Sequence, residues 1–131
     1  MAEFSDYMEN KIIEVMRATT FTAVAAYVAL FTSTATAAEL EAGTLTNEVT
    51  GGAYARQLAG LSAPSNGVSS NTTDIMFPKA TANWGTITHV GLRNAVTGGN
   101  LYMHFLFDVS RVIETGDTFQ INAGELGVSV A

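Results

Sequence analysis

The chain has 131 residues, enough for one domain with its own core and no need of covalent staples. It contains no cysteine, which excludes a disulfide framework and thiolate chemistry, and its charged fraction of 14% is low for a globular domain. Twelve acids against six bases give a net charge of −6. The bases (Lys11, Arg17, Arg56, Lys79, Arg93 and Arg111) are scattered singly, so no nucleic-acid partner is expected, because that binding rests on clustered cations.

Taken in chain order, residues 5–17 carry the one strong helical pattern. Phe4, Met8, Ile12, Val15 and Met16 recur at three- and four-residue steps and draw an apolar stripe. Ser5 or Asp6 can cap the first turn, and Asp6 and Glu9 suit the positive end of the helix dipole. Thr19, Thr20 and Thr22 then break the pattern with β-branched residues. From there the period is two. Residues 26–32 are a strand candidate, 33–52 read as a long acidic loop closing on Gly51-Gly52, and 54–61 follow as a strand. Short strands are expected at 74–77, 85–93, 101–107, 111–113, 119–121 and 126–130, with a hairpin turn at Gly98-Gly99. Leu101, Met103, Phe105 and Phe107 are expected on one face. The fold class is therefore mainly β: an antiparallel, jelly-roll-like β-sandwich over residues 21–131, preceded by an N-terminal amphipathic helical segment over 1–20. The expected core is Tyr27 or Val28, Leu30, Phe77, Trp84, Val90, Leu101, Met103, Phe105, Phe119, Ile121 and Val128.

Residues 21–31, followed by the small-residue run 34–38, imitate a secretory signal. The residues ahead of them are acidic (Glu3, Asp6, Glu9, Glu14), and the apolar run is too short to span a bilayer, so a buried strand is the better reading. No membrane insertion is expected.

Chemistry is sparse. His89 and His104 are the two histidines, with no cysteine to complete a metal site, and read as packed or hydrogen-bonded strand residues. Asp6/Glu9, Glu39/Glu41 and Asp108/Glu114 are the closest acid pairs and read as solvated faces. No serine sits in a nucleophile elbow, and the glycine pairs lack the frame of a phosphate loop. Asn71-Thr72-Thr73 matches a glycosylation sequon that matters only in a eukaryotic secretory host. No catalytic residue, cofactor or metal is expected. Trp84 reads as a core anchor; a carbohydrate-binding module would instead use Trp84, Tyr54 or Tyr102 as a stacking platform.

An ordered series of segments resembles a known family. It runs through Phe4-Ser-Asp-Tyr-Met-Glu-Asn-Lys-Ile-Ile, Tyr27-Val-Ala-Leu-Phe-Thr-Ser, Asn47-Glu-Val-Thr-Gly-Gly-Ala-Tyr-Ala-Arg-Gln, Ile75-Met-Phe-Pro-Lys-Ala-Thr-Ala-Asn-Trp-Gly-Thr-Ile-Thr-His-Val-Gly, Gly98-Gly-Asn-Leu and Ser110 through Gly116-Asp117-Thr-Phe. The chain is similar to small virion proteins of tailed bacteriophages, usually labelled tail-fibre-like. Leu58-Ala-Gly-Leu and Asn94-Ala-Val-Thr depart from that family's pattern. The resemblance implies a virion structural protein that acts by copy number and carries no catalytic residues. A long fibre needs repeats or a coiled-coil shaft, and neither is visible, so capsid decoration comes first and a short tail-fibre or tail-tip subunit second. The expected partners are further copies of the chain as a homo-oligomer (a trimer), other virion proteins such as the major capsid protein, and host-surface carbohydrate. Location in the virion, after assembly in the bacterial host cytoplasm, goes with them. Phe4, Met8, Ile12 and Met16 are the expected oligomer or virion contacts.

Overall fold

The computed structural model describes residues 2–22, 24–43 and 47–129; residues 44–46 of the expected loop and Val130 of the last expected strand lie outside them. In chain order the elements are β1 (Ala2–Phe4), α1 (Asp6–Met16), β2 (Tyr27–Thr32), α2 (Ala37–Ala42), β3 (Gln57–Leu58), β4 (Val68–Ser70), β5 (Ile75–Met76), β6 (Gly85–Arg93), β7 (Leu101–Ile113), β8 (Gln120–Ile121) and β9 (Gly127–Ser129). The chain is mainly antiparallel β with an N-terminal helix. Its large sheet has the strand order β1-β7-β6-β2-β3, and β4 with β9 and β5 with β8 form two-stranded companions.

The centre of the fold is β2, whose residues Val28, Ala29, Leu30 and Phe31 are all buried. An interior strand covered on both faces needs apolar side chains in both phases of the alternation. On one face, register places Val28 opposite Leu92 and Leu30 opposite Val90. Ile75, Phe77, Trp84, Ile121 and Leu126 close that side. On the other face, Ala29 and Phe31 meet Leu101, and Leu40 of α2 caps them. Each such side chain taken from water contributes about 1.5–3 kcal/mol. The layer facing the large sheet is therefore two short strand pairs with their connecting loops, and the opposite face is covered by a helix.

Three features differ from the sequence reading. The segment 1–20 is not wholly helical: Ala2–Phe4 form an edge strand, with Ala2 opposite Phe105 and Phe4 opposite Met103. Ser5 then turns the chain into α1; it is fully buried, and its hydroxyl accepts the Met8 N–H and donates to the Leu101 carbonyl. Second, residues within the expected acidic loop form α2. Thr36 and Glu39 make a reciprocal capping box, and Gly43 ends the helix in the left-handed conformation. Third, Leu101 does not share a face with Met103. Leu92 pairs with Met103 and Arg93 with Leu101, so Tyr102 is an extra residue in β7 and the side-chain alternation inverts there. Leu101 packs beneath Phe31, while Phe105 and Phe107 join the main core.

Gly91 of β6 shows how tight the second face is. A Cβ there would lie 2.6 Å from the Phe31 ring and 2.7 Å from Leu101, so Phe31 lies directly on the bare backbone.

Candidate functional site

The stripe expected to make contacts is divided by the fold. Phe4 is half-buried in β1 beside β7, Met8 and Ile12 are half-buried on α1, and Met16 is 78% exposed. Val15, which the stripe included, and Ile13, which it did not, are also more than half exposed. The helix leans on β7 and α2, with Tyr7 against Tyr102 at 6.3 Å between ring centres. Its last turn thus leaves Ile13, Val15 and Met16 open. Among the described residues, no helix is long and apolar enough to cross a membrane.

At the other end of α1, side chains from four elements meet. His104 of β7 is 4% exposed, and its Nε2 lies 2.7 Å from Oε1 of Glu41 in α2 and 3.8 Å from Oε2 of Glu3 in β1. Ligand atoms of Glu3, Glu41 and His104 lie within 4.8 Å of one another, as do those of Asp6, Glu9 and Glu41. On the neighbouring strand, burial and then the proximity of His104 hold the His89 imidazole below the ordinary histidine pKa. Of the acids read as solvated faces, Glu41 therefore meets a buried histidine, and Asp6 and Glu9 gather on Glu41. Glu41 and His104 stand 63 positions apart, so sequence spacing carried no sign of the pairing.

The aromatic candidates do not form a platform. Trp84 is 5% exposed and its indole N–H donates to the Gly52 carbonyl at 2.8 Å. Gly52 has φ +60°, and a Cβ on it would lie 2.8 Å from the indole nitrogen, so only glycine fits there without displacing the ring. Tyr54 meets Trp84 edge-on at 5.5 Å and stacks on Phe77 at 6.1 Å. A sugar could stack on Trp84 only by opening the core. Tyr102 lies apart, its hydroxyl donating to the Val24 carbonyl.

Tyr54 instead belongs to a buried ionic network. Its hydroxyl accepts the Leu30 N–H and donates to Oε2 of Glu48 at 2.7 Å. Burial, followed by the Glu48 charge, pushes its phenol well above the ordinary tyrosine range. Arg56 binds both carboxylate oxygens of Glu48, through Nε at 2.8 Å and Nη2 at 2.7 Å. Its Nη1 donates to the Ala95 and Gly98 carbonyls, fastening the β6–β7 turn. Arg93 adds a second cation 3.3 Å from Glu48, over the Phe31 ring. Asn71 plays a comparable neutral role: its amide donates to the Thr73 and Asn122 carbonyls and accepts the Leu126 N–H. With that side chain 2% exposed, the sequon is structural in this fold.

An open cleft of about 860 Å³ lies between the far half of β7 and the C-terminal strands, lined by Phe107, Asp108, Arg111, Phe119 and Glu125 among others. Beside it Leu106, Val109 and Val112 are exposed. Nothing in the cleft is arranged as a nucleophile with its base.

Comparison with curated proteins found no match. A family model described as Podophage GP4 fiber I protein gp80 matches residues 3–129, a span that takes in both helices, the buried Glu48 network and the far edge of β9. The chain belongs to this family of phage fibre proteins, and with it to the structural components of the virion.

Proposed function

We propose that the chain is a small subunit of the podophage tail-fibre apparatus, held in the particle through the exposed end of α1 and working by contact rather than turnover. The observation that carries this reading is the open apolar turn of Ile13, Val15 and Met16, each more than half exposed. In a chain with so few charges, such a patch is the kind of surface a partner covers. The family match favours the fibre over capsid decoration, which the sequence alone put first. Copies of one chain on a shared scaffold gain from multivalency, so weak individual contacts suffice. The partners in this reading are neighbouring virion proteins and further copies of the chain; the cleft beside β7 would face outward, toward the host surface.

The test is to replace Ile13 and Met16 by serine together and count copies per purified particle. The double variant should fold as the parent does and be lost from the particles. Antibody labelling of parent particles should fall on the tail, at a few dozen copies or fewer. Hundreds of copies on the head would replace the fibre reading by decoration.

A further inference from the structure

The geometry points to a divalent-cation site of mixed nitrogen and oxygen ligands, formed by His104, Glu41 and Glu3, with Asp6 and Glu9 beside it. His104 is fixed: it stands in the first half of the long strand β7, paired on both sides, opposite Gly91 and Glu3, and is almost wholly buried. Its Nε2 faces carboxylates on both sides, 2.7 Å from Glu41 and 3.8 Å from Glu3. Ligand atoms around a tetrahedral ion with bonds of about 2.0–2.2 Å sit roughly 3.3–3.5 Å apart, and the two distances bracket that value. The carboxylates of Asp6 and Glu9 approach Glu41 from the first turn of α1. Among the described residues, no lysine or arginine forms an ion pair with these four acids; Lys11 pairs with Glu14, and Arg56 and Arg93 with Glu48.

One helix dipole accounts for Asp6 and Glu9, but not for a buried imidazole with acids from β1 and α2 gathered on it. An imidazole nitrogen among carboxylates suits a first-row transition ion of the zinc kind, since calcium takes six to eight oxygens. Binding places the ion between Nε2 and Oε1, in place of their hydrogen bond, with the imidazole proton carried on Nδ1. A bound ion would tie β1, α1 and α2 to β7, and so would set the angle at which α1 presents its apolar end.

The test titrates the full chain, cleared of metal with EDTA and dialysed, with ZnCl2 by calorimetry and by melting. The expected result is one ion per chain and a higher melting temperature. His104→Gln and Glu41→Gln should each weaken uptake by about tenfold or more, and Glu3→Gln by a similar factor. Glu3 has a half-exposed side chain and no part in the core, so that variant tests the site even where His104→Gln perturbs the fold. No saturable uptake, or uptake unchanged in Glu3→Gln and Glu41→Gln, overturns the proposal. So does CaCl2 binding as tightly as ZnCl2 with no dependence on His104, which would mean diffuse attraction to acids only.

Discussion

Replacing Glu48 by glutamine removes a carboxylate that Arg56 and Arg93 share, while leaving a side chain of nearly the same volume. Glu48 accepts two hydrogen bonds from Arg56 and one from Tyr54, and its side chain and that of Arg56 are each under a tenth exposed. Breaking a buried pair from one side costs about 3–5 kcal/mol, because the Arg56 guanidinium, already out of water, loses the carboxylate it binds through two nitrogens. A domain of this size has about 5–15 kcal/mol in all, so at least about a fifth of the stability should go. With about 3–5 °C per kcal/mol at this chain length, the melting temperature should fall by about 10–20 °C. Urea unfolding followed by the fluorescence of Trp84 reads this directly, since that ring is the chain's single tryptophan and touches Tyr54. Tyr54→Phe is the control: it deletes two hydrogen bonds, one to Glu48 and one from the Leu30 N–H, and keeps the charges, for about 1–3 kcal/mol. A loss under about 1 kcal/mol for Glu48→Gln would refute the account, since it would mean that water reaches the guanidinium groups.

Gly91→Ala should destabilise by about 1–3 kcal/mol through overpacking, and Leu101→Ala in the same chain should relieve part of that; additive losses in a double-mutant cycle would show that the two sites do not collide. Ser5→Ala removes a helix cap and a buried hydroxyl bond together and should cost about 1–2 kcal/mol, with loss of helical signal near the N-terminus by amide exchange; unchanged exchange across α1 would count against it. His89 titrates lower in the folded chain than in the unfolded one, chiefly through burial. The unfolded chain therefore binds the extra proton first, and stability, full above the ordinary histidine pKa of 6.5, falls as pH drops through and below it. His89→Gln should flatten the melting curve against pH in that window, and an unaltered slope would assign the titration elsewhere.

The helix and the β class were legible because each rests on local periodicity. The stripe from Met8 to Met16 and the cap at Ser5 lie within a dozen residues, and the strand at 27–32 shows its burial in its composition. α2 was missed although its signal was present: Thr36 followed three residues later by Glu39 is a capping box, concealed by the small-residue run around it. The strand at Ala2–Phe4 has no pattern of its own, and pairing with β7 across the whole chain creates it. The Tyr102 bulge is equally tertiary, since one added residue inverts the faces of Leu101 and Met103 with no mark in the alternation. The candidate site was the least legible part. Glu3, Glu41 and His104 belong to three elements, and each alone resembles a solvated acid or a strand histidine. Arg56 and Arg93 were likewise read only as singly scattered cations, and only the fold shows that Glu48 meets both in the interior.

The burial of β2 on both faces has a consequence for the order of events at the ribosome. Its partner β6 is made about 60 residues later, and at about 5–20 residues per second that is a wait of about 3–12 s. Through that interval β2 has only the two-residue β3, opposite Tyr27 and Val28, to pair with, and Ala29–Phe31 stay apolar in both directions without a long strand beside them. The first long pairing open to the nascent chain after the wait is β2 on β6, and the β6–β7 hairpin closes only when β7 follows. Rapid synthesis or a waiting chaperone should therefore raise the yield of folded chain, and slow codons placed between the two strands should lower it.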